Sequence, residues 1–147
     1  MYNLETIDRL LQNELSATET YQQVFEKFQD NHEINSSEQL MPIYKSHQDA
    51  VSVLQAHIRE LGGTPAEHSS VWQTWSKIVQ GGAHKLGKQT VLSILQQGEK
   101  IAAEDYQKVL WNTQLPSSIR CLIEWKLLLI QKSHTRVLDK LLSATPV

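Results

Sequence analysis

Glu14, His47, Glu99 and His134 are the residues of this sequence whose types and placement could do chemistry. Each falls on an apolar helical stripe. Glu14 follows Leu10 and Leu11 and precedes Ala17; Glu99 lies between Leu95 and Ala102; His47 lies between Tyr44 and Val51, and His134 between Ile130 and Val137. A carboxylate on such a stripe is costly to bury and needs a partner or a metal ion. Two carboxylates and two imidazoles suit Zn, Fe or Mn, and they balance the charge of one divalent ion. Two-metal carboxylate bundles use more: one Glu from each of two helices and a Glu-x-x-His from each of the other two. Three residues before His47 and His134 stand Tyr44 and Gln131, so both bridging carboxylates are absent and one ion, not two, is the expectation. The same residues could instead form a metal-free network of Glu–His hydrogen bonds, with Tyr21, Tyr44, Tyr106 and Gln131 as the surrounding polar groups. Glu19 and Glu104 lie off the stripe and read as surface charges.

The elements that must position these residues are helical throughout. Ile7, Leu10, Leu11, Ala17, Tyr21, Val24, Phe25 and Phe28 recur at three- and four-residue steps, predicting a first helix over 3–30. A polar loop over 31–37 follows, and Ser36 with Gln39 has capping-box spacing for a second helix. That helix carries Leu40, Tyr44, His47, Val51, Leu54, Ile58 and Leu61 and stops at Gly62-Gly63. Thr64-Pro65-Ala66-Glu67 begins a connection with its own short helix, bearing Trp72, Trp75, Ile78 and Val79, which ends at Gly81-Gly82. A third helix carries Leu92, Leu95, Ala102, Tyr106, Val109 and Leu110; Pro116 starts a fourth with Ile123, Leu127, Ile130, His134, Val137 and Leu141. Short links join the first helix to the second and the third to the fourth, so each pair forms an antiparallel hairpin; the connection over 62–87 is long enough to cross the bundle. Two hairpins and one crossover make the ferritin-like four-helix arrangement, all-α and a single domain over 1–147.

The hairpins also echo each other. Glu14, Ala17, Glu19, Tyr21, Gln22 and Val24 recur 85 residues later as Glu99, Ala102, Glu104, Tyr106, Gln107 and Val109. Lys45-Ser46-His47 recurs 87 residues later as Lys132-Ser133-His134. This points to duplication of one helix pair, 3–61 and 88–143, and to equivalent residues facing one central site.

Composition sets the outer limits. The 147 residues are 40% hydrophobic and 20% charged, suited to one core. A net charge of −2 gives no broad attraction for nucleic acid or an anionic membrane, and neither is expected as a partner. No stretch approaches the ~20 apolar residues of a membrane-spanning helix. The N-terminal residues do not read as a secretory signal, and the single cysteine, Cys121, suits a reducing cytoplasmic setting. Cys121 reads as a small core or boundary residue, and Trp72, Trp75, Trp111 and Trp125 as core plugs or crossover anchors; an exposed Trp72/Trp75 face would suit a homo-oligomer contact. His68 and His84 lie in connecting segments without ligand-like neighbours.

Leu61-Gly62-Gly63-Thr64-Pro65 with Ser69-Ser70 and Trp75, Gly98-Glu99 with Tyr106 and Val109-Leu110, and His134 with Arg136-Val137 together resemble the bacterial ferritin-like proteins of the DUF2383 type. The resemblance implies the ferritin-like bundle and no settled activity. It carries over Glu99 and His134, reaches Glu14 less closely, and leaves His47 to the internal repeat. Gln96 stands where an acid commonly precedes the Gly-Glu pair, and Gln73-Thr74 replaces a His-Arg pair of the crossover. The expectation is a non-catalytic binding or structural bundle with a degenerate metal site. The alternative is a metal-binding protein (Fe, Zn or Mn) with oxidase or peroxide chemistry.

Overall fold

The computed structural model describes residues 2–30, 34–69 and 87–144. They form α1 (Tyr2–Asp30), α2 (Ile34–Glu60), α3 (Lys88–Val109), α4 (Ser117–Leu122), a π turn (Ile123–Leu127) and α5 (Leu128–Ala144). α1 packs along α2, and α3 along α5, giving the two hairpins of an all-α, four-helix bundle. Trp72, Trp75, Ile78, Val79, Gly81, Gly82 and His84, with the expected crossover helix, lie outside the described residues, as does the Phe28 side chain.

The core shows how the hairpins are joined. One apolar cluster takes Ile7, Leu10 and Leu11 from the start of α1, Leu54 and Ile58 from the end of α2, Val109 from the end of α3, and Ile119 from α4. The other takes Tyr21 and Val24 of α1, Leu40 and Ile43 of α2, Val91, Leu92 and Leu95 of α3, and Leu138 of α5. The ends of α2 and α3 therefore lie at the same end of the bundle, so the end of α2 and the start of α3 lie at opposite ends. That is the ferritin-like connection. The central polar residues lie between the two clusters, each on its own helix.

Local signals account for the helix ends. Gly62 takes φ 86°, the left-handed conformation that lets α2 close with two reversed bonds: Gly62 N to Arg59 O at 3.0 Å and Gly63 N to Ile58 O at 2.9 Å. Gln55 Nε2 donates to Ala66 O, Ser69 N donates to Glu19 Oε1, and Ser69 Oγ meets Ser16 Oγ, tying the departing chain to α2 and α1. Arg120 secures the turn between α3 and α4 by donating to Leu110 O at 2.8 Å and to Asn112 O. α2 begins at Ile34, two residues before the expected Ser36 cap, and continues through Pro42.

The fourth helix departs most from its expected form. A continuous helix would turn Ile130 and Val137 inward with His134. Instead the π turn takes up one extra residue between Ile119 and Gln131, and the buried stripe runs Ile123, Leu127, Leu128, Gln131, His134 and Leu138. Ile130 is half-buried and Val137 is 37% exposed. Trp111 and Trp125, expected to plug the core, are 73% and 70% exposed, and Cys121 is exposed too. Trp111 sits in the turn after α3. Trp125 and Cys121 fall opposite the inward stripe of Ile119, Ile123 and Leu127.

Candidate metal centre

The buried polar layer begins with two reciprocal contacts. Tyr21 of α1 donates to Glu99 Oε2 of α3 at 2.6 Å, and Tyr106 of α3 donates to Glu14 Oε2 of α1 at 2.7 Å. The tyrosine of each matched segment thus serves the glutamate of the other. His47 of α2 lies between the carboxylates, with Nδ1 2.5 Å from Glu14 Oε1 and Nε2 2.8 Å from Glu99 Oε2. Tyr21 stacks on its ring at 5.6 Å. His134 of α5 comes to the other Glu99 oxygen, with Nδ1 3.2 Å from Oε1, and its ring centre is 4.8 Å from that of His47. Gln131, one turn before His134, donates to Glu99 Oε1 and to the Glu99 backbone carbonyl.

All four residues picked out by chemistry are buried: Glu14, His47, Glu99 and His134. Tyr21, Tyr106 and Gln131 surround them. Tyr44 does not join; its hydroxyl accepts from Gln22 and Gln48, and its ring meets Phe25 edge-on. Gln96 donates outward to Asp139 of α5. Glu104 is exposed, Glu19 is half-buried on the Ser69 amide, and His68 is exposed.

Charge follows from the contacts. Both nitrogens of His47 face carboxylate oxygens, so both must donate and the ring is an imidazolium. Burial by itself works against that charge, but Glu99 and Glu14 outweigh it and push the His47 pKa up to about 10. Burial likewise opposes the Glu99 carboxylate; the charge of His47 and the hydrogen bonds from His134 and His47 prevail and hold its pKa well below the usual range. Burial, and then the neighbouring carboxylates, push Tyr21 and Tyr106 well above the ordinary tyrosine value, so both remain donors.

His134 breaks the symmetry. Its Nδ1 meets a carboxylate oxygen and donates to it, which in the neutral ring leaves the lone pair on Nε2. Among the described residues, that Nε2 is the one buried side-chain nitrogen or oxygen without a hydrogen-bond partner. The counterpart of the His47–Glu99 contact would be a contact from His134 Nε2 to Glu14, and it is not made. His47, Glu99 and His134 each offer a ligand atom, all within 4.8 Å of one another. A bare imidazole lone pair beside a second imidazole and a carboxylate is a donor set that fits one divalent ion. Glu14 would then hold His47 from behind through Nδ1, as carboxylates orient metal-bound histidines.

Residues 3–112 match the family model described as a domain of unknown function, DUF2383. The chain belongs to that family. The matched span contains Glu14, His47 and Glu99, whereas Gln131 and His134 lie beyond it. A search of curated proteins and a search of solved structures each returned no match. The site was legible in the sequence as four stripe residues. The role of Gln131 was signalled only by its place three residues before His134, and its inward turn depends on the π turn.

Proposed function

We propose that this DUF2383 protein binds one divalent metal ion, Fe, Zn or Mn, in the middle of its bundle. His47, Glu99 and His134 hold it and Glu14 orients His47. The observation that carries this reading is the bare Nε2 of buried His134 beside two other ligand-bearing side chains. With both glutamates ionised and both histidines neutral, one divalent ion makes the layer neutral, and His47 must release its second proton on binding. Three protein ligands leave a position open, as catalytic metal sites do. Bound iron would supply oxidase or peroxide chemistry there, while Tyr21, Tyr106 and Gln131 keep Glu14 and Glu99 in place.

The test is elemental analysis of the untagged protein beside a Glu99→Ala/His134→Ala double variant. Stoichiometric Fe, Zn or Mn in the wild type and its loss in the variant are expected. No metal after reconstitution with Fe(II), Zn(II) and Mn(II) would overturn the reading.

A second reading rests on the other side of the same layer. The hydrogen bonds on Glu14, His47 and Glu99 are complete without an ion, which suits a non-catalytic structural or binding bundle. The exposed Trp111 and Trp125 support self-association of such a module, and sedimentation over a range of concentrations tests it. The single cysteine supports a cytoplasmic setting. Among the described residues no helix is long and apolar enough to cross a membrane.

A further inference from the structure

α2 and α5 make little direct contact along their seam. A cavity of about 290 Å³ opens there. Buried Glu14, Gln131 and His134 line it with Ala50, Val53, Leu127 and Ile130, so His134 is the one of the three ligand-bearing residues that reaches it. Glu14 and His134, whose mutual contact is the missing one, thus both border the same space. The π turn contributes directly, because Lys126 and Leu127 belong to it and it turns Gln131 inward. The lining mixes these apolar side chains with the buried polar groups and with Asp49 and Lys126, and apolar surface with a few placed polar groups is the usual form of a small-molecule site.

We propose that this cavity seats a small, uncharged ligand with a short apolar body and one nitrogen or oxygen donor head, which takes the open position of the metal ion. The inference rests on the metal reading above. Size sets the first limit, since the chamber holds a single ring or a short branched chain. Charge sets the second. An ion balanced by Glu14 and Glu99 leaves the layer neutral, so an anionic head would bury an unmatched negative charge. Lys126 at the cavity does not offset this, because Asp49 shares the lining with it. Neutral donors are therefore selected over anions.

The experiment uses Co(II)-loaded protein, followed by its visible absorption at pH 7.5. Pyridine is the neutral probe; acetate and azide are the anionic ones. Pyridine is expected to shift the cobalt bands with saturation, at least tenfold more tightly than either anion. Val53→Trp, and Ser52→Trp at an exposed position of the same lining, should take up cobalt as before and bind pyridine at least tenfold more weakly. Two variants are used so that poor folding of one leaves the other to decide. Cobalt uptake with no pyridine response, equal or tighter anion binding, or unchanged pyridine binding in the tryptophan variants would overturn this inference alone. Failure to take up cobalt and, in the same protein, Fe(II), Zn(II) and Mn(II) would overturn the metal reading and this inference with it.

Discussion

With both ring nitrogens on carboxylates, His47 has its charge set by the folded state, and that has a measurable pH signature. Its pKa rises from 6.5 to about 10 on folding, so its stabilising contribution is complete below pH 6.5 and is lost as pH rises toward 10. The Glu99 pKa is lowered from 4.5, so its contribution is complete above pH 4.5 and is lost as pH falls below it. Ion-free protein is therefore expected to be most stable between those two values. Thermal melts across pH 3–10 check this, and His47→Gln should flatten the alkaline slope. Tyr21→Phe removes a donor from a buried carboxylate and should cost about 2 kcal/mol in urea denaturation. Tyr44→Phe, near the surface with Gln22 and Gln48, should cost under about 1 kcal/mol. Spacing alone brought out Glu14, His47, Glu99 and His134, because a polar residue on an apolar stripe conflicts with its surroundings. It could not say which nitrogen meets which carboxylate, nor that Tyr44 turns away.

Among the elements, the turn after α2 and the π turn show opposite degrees of legibility. Gly62 is a local signal: its φ of 86° is strained for any residue with a side chain. Gly62→Ala should therefore lower stability by about 1 kcal/mol, read as a fall in the thermal midpoint. The π turn left no such mark. Ile123, Leu127, Ile130, Val137 and Leu141 make a good stripe for an uninterrupted helix, and only packing selects the shifted one with Leu128, Gln131 and Leu138. Because a π turn takes up one extra residue, deleting exposed Trp125 should leave a plain α-helix with Gln131 and His134 still inward. Circular dichroism should then show full helicity, and metal uptake should persist. Loss of either would show that the extra residue is needed to place the site. The exposure of Trp111, Trp125 and Cys121 was misjudged for a related reason. Size and polarity favour burial of these residues, but helical angle decides it for Trp125 and Cys121, and a place in the turn after α3 decides it for Trp111.

For the whole molecule, the polar layer lies between two apolar clusters, so ligand binding there couples to the stability of both hairpins. A metal ion that binds only the folded chain should stabilise it by about 2.7 kcal/mol at a hundredfold excess over its Kd. The thermal midpoint of wild type should rise with added Zn(II) or Mn(II), and that of His134→Ala should not. The sequence by itself determined the helices of the two hairpins, the length of the connection between them and the four polar residues, because periodicity, glycine stops and link lengths are properties of neighbouring residues. Only the tertiary structure decided the phase of the last helix, the bare nitrogen of His134 and the open seam between α2 and α5. Each depends on how helices distant in the chain pack together, and no local pattern encodes a gap between them.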